Sequence, residues 1–248
     1  MKITVIGCSG SYPGPDSPAS CYLIETDHEG RTWRLLMDLG SGALGALQRH
    51  VDPLSVDAVL LSHLHADHCL DLCGYYVLRK YHPDGALPRL PVYGPLDTAG
   101  RMARAYDLPE NPGMTVEFDF RPWMPSEPVR IGPFTVEATP VEHPVEAYGL
   151  RVSSGGRLLA YTGDSGRCVQ LERVASPIDG AGAMAGRRRA VDERLDVFGR
   201  AFIGSLFVVM LGQHEFLRAA RPWLGRVGGR TARCGWCSGV WFLHAPSV

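Results

Sequence analysis

The chain has 248 residues, of which 45% are hydrophobic and 21% charged, a composition typical of a globular protein with a sizeable core. Its longest largely apolar run, residues 201–211, has eleven residues, well short of the roughly 20 that a membrane-spanning helix needs. The start MKITVIG reads as a strand rather than as a signal peptide. We therefore expect a cytoplasmic protein whose seven cysteines stay reduced.

Charge divides the chain into two parts. Residues 177–248 carry ten arginines, no lysine and five acidic residues, whereas residues 1–176 carry fifteen basic and twenty-one acidic residues. We therefore predict a domain at residues 1–176 and a divergent, Arg-rich tail at residues 177–248.

Predicted elements follow one another as strands with interleaved helices. Hydrophobic patterning predicts strands at residues 2–7, 20–26, 31–37, 56–63, 90–95, 114–120, 134–143, 148–154 and 157–164, and helices at residues 43–51, 67–81 and 96–108. In the second helix the apolar positions with helical spacing are Leu70, Cys73, Val77 and Tyr81. This order favours two packed sheets with outer helices, an α/β layered fold, over a regular βαβ series.

The stretch LSHLHADHCLDL, residues 61–72, contains the strongest chemical signal. His63 and His65 lie two apart at the end of a predicted strand, so they project to one side. Asp67 and His68 follow on the turn into a helix. Imidazole and carboxylate are ligands that zinc accepts, and four such groups in six residues do not easily surround one ion. The pattern therefore predicts two neighbouring metal ions.

These residues resemble a known motif. SHLHADH is similar to the HxHxDH motif of the metallo-β-lactamase superfamily, and GCSGSYPGPDSPASCYLIE and LLMDLGSGAL resemble the branch that contains ribonuclease Z-like and phosphodiesterase-like hydrolases. The resemblance extends from residue 1 to about residue 175. It implies an αββα sandwich with a dinuclear site at one edge, between the sheets.

The resemblance also implies further site residues. His143 in VEHPVEAYG and Asp164 in YTGDSG match family ligand positions that follow later strands. One ion would be held by His63, His65 and His143; the other by Asp67 and His68, with Asp164 bridging both. Asp38 in MDLG matches a position that orients a ligand histidine, although it could instead cap the turn.

Two Zn²⁺ ions are the implied cofactors, with Mn²⁺ or Fe²⁺ as alternatives. A hydroxide bridged between two ions would attack the substrate, while the ions stabilise the charge that develops. Asp67 would orient or deprotonate the water and is therefore the candidate catalytic residue. The implied reaction is hydrolysis.

The family pattern is not legible after residue 176. Relatives of this kind carry an acidic "CEASF"-like segment, then a histidine at a helix start, then a last ligand histidine. His244 is the candidate for that ligand, and His214 is a candidate proton donor. We hypothesise that residues 177–248 are frameshifted or otherwise replaced; finding no such pattern in the other two reading frames of the gene would refute this.

The number of residues between His143 and Asp164 bears on the substrate. Only twenty residues separate His143 from Asp164, where ribonuclease Z carries a long arm, and the negative balance of residues 1–176 does not favour RNA. We expect a small phosphodiester, such as a cyclic nucleotide. Lactone or β-lactam hydrolysis, a ribonuclease Z-like activity and a non-catalytic metal-binding protein remain alternatives. The resemblance also favours a homodimer.

Overall fold

The computed structural model describes residues 1–125, 127–166 and 168–175, together with the backbone of two strands, Phe207–Met210 and Val240–Trp241. The predicted domain boundary near residue 176 therefore stays a prediction. His214 and His244, like the frameshift hypothesis, lie outside the described residues. Within them, no helix is both long and apolar enough to cross a bilayer.

The first sheet has six strands in chain order. Its members are β1 (Lys2–Gly7), β2 (Cys21–His28), β3 (Arg31–Met37), β4 (Ala58–Leu60), β5 (Leu90–Gly94) and β6 (Phe118–Pro122). Strand β2 pairs antiparallel with β1 and β3, whereas β3 to β6 run parallel. The carboxyl ends of β1, β3, β4, β5 and β6 consequently meet at one edge of this sheet.

The second sheet also has six strands among the residues that the structure describes. Its members are β7 (Val129–Ile131), β8 (Phe134–Pro140), β9 (Tyr148–Ser154), β10 (Arg157–Tyr161), β11 (Phe207–Met210) and β12 (Val240–Trp241). The successive pairs from β7 to β11 are antiparallel, and β12 is parallel to β11. Strands β9 and β10 form a hairpin whose turn is Gly155–Gly156, both with positive φ. That hairpin fills most of the interval between His143 and Asp164.

Alternation along the strands of the first sheet creates two apolar cores. In β2, Tyr22 and Ile24 face the second sheet, whereas Cys21 and Leu23 face the helices. Because both faces of this sheet are covered, its central strands are apolar throughout. The helices are α1 (Ala43–Leu47), α2 (Ala66–Cys69), α3 (Leu72–Lys80), α4 (Thr98–Ala105) and α5 (Gln170–Val174), with a short 3₁₀ turn at Pro53–Ser55.

Helix α5 covers the outer face of the second sheet and completes the layers. Arg151 on β9 donates from Nη1 to the carbonyl oxygen of Arg173 at 2.9 Å. Gly149 lies so close to Val174 that a Cβ there would come within 2.6 Å of a methyl group. The observed architecture is thus helices, sheet, sheet, helix, which confirms the predicted αββα sandwich.

The predicted helix at residues 67–81 is wrong in one respect, because it is two helices. The chain breaks between α2 and α3 at Asp71, whose amide donates to the carbonyl oxygen of Leu39 at 3.2 Å. Tyr81, which the sequence places at helical spacing with Leu70, Cys73 and Val77, follows the last residue of α3 and is 70% exposed. The buried side chains of α3 are Leu72, Tyr75, Tyr76 and Arg79.

The strands differ from prediction mainly at their ends. Strand β6 begins at Phe118 rather than Met114 because Met114 lies in a turn. Its carbonyl oxygen accepts a hydrogen bond from the amide of Glu117 at 3.2 Å. Strand β4 covers only Ala58–Leu60 of the predicted residues 56–63. The three-residue strand β7 and the helix α5 were not predicted, since each is too short to show a period.

Candidate metal centre

The candidate site lies where the two sheets meet. After β4 the chain continues to His63, whose backbone forms an isolated bridge with Ala147, the residue before β9. The amide of Tyr148 donates to the carbonyl oxygen of Ser62 at 2.9 Å. The segment that follows a strand of the first sheet is thereby bonded to the second sheet. This places His63 at the junction between the sheets.

Three histidines converge at this junction. Nε2 of His63 lies 3.1 Å from Nδ1 of His65, and Nε2 of His143 lies 3.0 Å from the same atom. Burial lowers the pKa of His63 to about 3, with a further contribution from the charge of His68, and burial also lowers the pKa of His143. Both rings are therefore neutral near pH 7, the form in which imidazole binds a metal.

A second group lies beside the first and combines a histidine with carboxylates. Nε2 of His68 lies 3.3 Å from Oδ2 of Asp67 and 3.5 Å from Oδ1 of Asp164. Burial alone would lower the pKa of His68, but the neighbouring carboxylates, Asp38 foremost, raise it well above its usual value. In Asp67, burial opposes ionisation, yet the hydrogen bond with His68 lowers its pKa overall. The carboxylates thus favour positive charge at this point.

The donor sets fit divalent metal ions. One ligand atom from each of His63, His65 and His143 lies within 4.8 Å of the others, and the same holds for His63, His68 and Asp164. His63 belongs to both groups, and its ring centroid lies 4.0 Å from that of His68. Imidazole nitrogen and carboxylate oxygen are the ligands that zinc and neighbouring transition metals take. The cluster is therefore compatible with metal binding, while each residue's role as a ligand stays a prediction.

Asp38 lies behind this cluster, fully buried, with φ at 56°. Its Oδ2 accepts a hydrogen bond from Nδ1 of His68 at 2.6 Å and from the hydroxyl of Tyr161 at 2.5 Å. Its Oδ1 accepts the amide of Ser62 at 2.7 Å. Asp38 thus makes the contact expected of an orienting carboxylate and also satisfies a backbone amide. Sequence reasoning did not identify Ser62 or Tyr161, although each stands beside a motif residue.

Gly40 positions Asp67 through a close backbone approach. A Cβ on Gly40 would lie 1.9 Å from the carbonyl oxygen of Asp67. That carbonyl accepts the amide of Ser20 at 3.1 Å, and the amide of Gly40 donates to the carbonyl of Ser20 at 2.9 Å. The loop after β3 is therefore packed directly against the first turn of α2. This explains physically why glycine follows Asp38-Leu39.

Gly163 positions Asp164 in a similar way. Its φ is 58°, a region that favours glycine, and a Cβ there would lie 2.9 Å from that of Ser62. The chain leaving β10 can therefore turn tightly against Ser62. This turn brings the carboxylate of Asp164 beside His68.

Comparisons with known proteins agree with this fold. A family model described as "Beta-lactamase superfamily domain" matches residues 34–184. "Uncharacterized protein Rv1339" of Mycobacterium tuberculosis is 50% identical over 182 residues, which cover 72% of this chain and 65% of the relative. "Probable metallo-hydrolase YhfI" of Bacillus subtilis is 31% identical over 173 residues, covering 66% and 64%. "Ribonuclease Z" of Mycobacterium bovis is 28% identical over 199 residues, covering 72% and 68%.

The crystal structure of the Bacillus subtilis protein YhfI matches with a TM-score of 0.60 and 28% identity, covering 70% of this chain and 67% of that one. Fold and site together define a two-sheet protein with a histidine and carboxylate cluster at the sheet junction. The chain belongs to the metallo-β-lactamase superfamily. The matched region covers 65% of the length of the Mycobacterium tuberculosis relative.

Proposed function

We propose that the chain is a metal-dependent hydrolase that takes two divalent ions, zinc in the first instance, and acts on a small phosphodiester. The observation that carries the proposal is the pair of adjoining donor groups that share His63. When bound, the ions would supply an activated water and stabilise negative charge on the reacting group.

The residues of the cluster differ in burial, and this difference suggests a role for each. His63 and His68 are buried, so they would hold the ions from the protein side. The side chains of Asp67 and Asp164 are each 13% exposed, so a substrate would approach from the carboxylate side. Because its pKa is lowered, Asp67 is ionised at neutral pH and can accept a proton from water. His65 and His143 would complete the first ion's ligands.

A phosphodiester is favoured by the relative named ribonuclease Z and a small one by the structure. The interval between His143 and Asp164 is occupied by the β9–β10 hairpin, whose turn has two residues, so no long arm is inserted there. Residues 1–176 also carry more acidic than basic side chains, which disfavours a polyanion. A cyclic nucleotide has the size and single negative charge that these features suit.

The test is hydrolysis by the full chain loaded with Zn²⁺. We expect turnover of bis(p-nitrophenyl) phosphate and of 3′,5′- or 2′,3′-cyclic nucleotides. His65→Ala should lower kcat/KM by at least about 100-fold, since removing a ligand exceeds the 10- to 100-fold cost of removing a ligand's supporting partner. His50→Ala, which changes an exposed histidine away from the cluster, is the matched control and should leave turnover unchanged.

Other outcomes would overturn the proposal. Cleavage of a chromogenic β-lactam or a lactone without phosphodiester turnover would assign carbonyl chemistry, and cleavage of pre-tRNA alone would assign the ribonuclease activity. One ion or none per chain by metal analysis, with no turnover of any substrate, would indicate a non-catalytic protein.

A further inference from the structure

Ser62 connects the buried carboxylate of Asp38 to His63. Its side chain is fully buried. The hydroxyl oxygen lies 2.9 Å from Oδ2 of Asp38 and 3.0 Å from Nδ1 of His63. The sequence motif gives this serine no role, and neither its size nor its burial requires a hydroxyl group.

The direction of these two hydrogen bonds follows from what each group can donate. A carboxylate only accepts, whereas a serine hydroxyl has one proton and can also accept. If Ser62 donated to His63, its oxygen would face Oδ2 of Asp38 at 2.9 Å with no proton between them. Both contacts are hydrogen bonds only when Ser62 donates to Asp38 and accepts from Nδ1–H of His63.

The same carboxylate oxygen also acts on the second donor group. Oδ2 of Asp38 accepts Nδ1–H of His68 directly, at 2.6 Å. In both rings a proton is therefore placed on Nδ1, so Nε2 carries the lone pair whenever the ring is neutral. In His63 the Nε2 atom faces His65, and in His68 it faces Asp67 and Asp164. These are the atoms that a metal ion would contact.

We infer that Ser62 is a positioning residue: its hydroxyl donates to Asp38 and in turn accepts the Nδ1 proton of His63. Through this relay and its direct bond to His68, one carboxylate sets the proton position of a histidine in each donor group. A hydrogen bond to the second ring nitrogen of a ligand histidine fixes its tautomer and orientation. The inference deepens the proposed function, because the atoms it prepares are those of the proposed metal site.

Removing the hydroxyl has a specific consequence for His63. In Ser62→Ala, Nδ1 of His63 loses its acceptor, and the ring can instead carry its proton on Nε2. That proton would be donated to Nδ1 of His65, which lies 3.1 Å away. It would occupy the position of the lone pair that an ion needs. His68 keeps its direct bond to Asp38 and should be unaffected.

The first experiment reads the tautomer of His63 in the metal-free full chain by ¹⁵N–¹H correlation spectra of ¹⁵N-histidine-labelled protein. We expect Nδ1–H in the wild type and a shift of the population towards Nε2–H in Ser62→Ala. The matched control is Ser20→Ala, another buried serine whose hydroxyl bonds Tyr22; it should keep the wild-type tautomer. A wild-type His63 protonated on Nε2 would overturn the inference, and this spectrum decides even if Ser62→Ala does not fold.

The second experiment titrates the metal-free chain with Zn²⁺ against a chromophoric chelator. Because His63 belongs to both donor groups, Ser62→Ala should weaken at least one of the two binding steps by about tenfold, the lower end of the effect of losing a ligand's supporting partner. No change in either step would contradict the relay. Neither readout depends on turnover, so a failure of the proposed hydrolysis and a failure of this inference are distinguishable.

Discussion

Gly40 shows how a residue without a functional group controls one that has it. Its Cα lies against the carbonyl of Asp67, and the amide of Ser20 binds the same carbonyl. Asp67 is therefore fixed through its backbone rather than through its side chain. The carboxylate remains available for an ion or for water.

This contact predicts the effect of adding one methyl group. Gly40→Ala would bring Cβ within 1.9 Å of the Asp67 oxygen, so the loop and α2 must separate. We expect a loss of about 1–3 kcal/mol or more in the free energy of unfolding, together with a lower zinc content.

Gly45→Ala is the matched control for this substitution. Gly45 lies in α1 with no atom near its added Cβ, so alanine should stabilise the chain by up to about 1 kcal/mol. Urea unfolding and metal analysis measure both variants. Equal stability of Gly40→Ala and wild type would show that the close approach is not a constraint.

At the scale of elements, Asp71 connects the segment between α2 and α3 to the start of α1. It lies at the break between α2 and α3. Its carboxylate accepts the amides of Gly42 at 3.1 Å and Leu44 at 2.8 Å. These are amides at the start of α1, where the helix has no partners of its own. A residue between two other helices thus serves as the cap of α1.

Removal of this cap should cost what a helix cap usually contributes. Asp71→Ala is expected to lower the free energy of unfolding by about 1 kcal/mol, measured by urea unfolding. Asp84→Ala changes a carboxylate that is 87% exposed and serves as the control, with an expected change within about 0.5 kcal/mol. If the two variants lose the same stability, the capping role is refuted.

Prediction from sequence succeeded where the signal is local and periodic. Strands with alternating or continuous apolar residues, such as β8 and β9, were predicted close to their observed bounds. The prediction of one continuous helix at residues 67–81 was wrong because the break at Asp71 depends on Leu39 and on the loop at residues 42–44, all distant in sequence.

The same distinction holds for the site. His63, His65, Asp67 and His68 stand in one short motif, so sequence alone brought them together. Ser62 and Tyr161 gave no signal, since a serine and a tyrosine are common in strands. Their hydroxyls matter only because the fold directs both to Asp38.

At the scale of the whole molecule, metal binding and folding should be linked. The candidate ligand histidines lie in the segment after β4, in α2 and in the segment after β8, so an ion would bind only the folded arrangement. At a free Zn²⁺ concentration about 100 times Kd, each site should add about 2.7 kcal/mol to the free energy of unfolding.

Thermal unfolding with and without Zn²⁺ measures this gain. His65→Ala should lose the part of the zinc-dependent rise in Tm that comes from the site it belongs to, about half, whereas His50→Ala, an exposed histidine outside the cluster, should keep the whole rise. A rise of equal size in His65→Ala would place the stabilising ion elsewhere.

Backbone bonds join the two sheets at one edge, between Ser62 and Tyr148 and between His63 and Ala147. The histidines lie at this joined edge and not at the opposite, open edge of the sandwich. A motion that opened the sandwich would therefore pivot about this junction, and the sheets would separate first at the edges far from it. The distances among His63, His65 and His143 would change least, because their anchor points lie on the axis of the pivot.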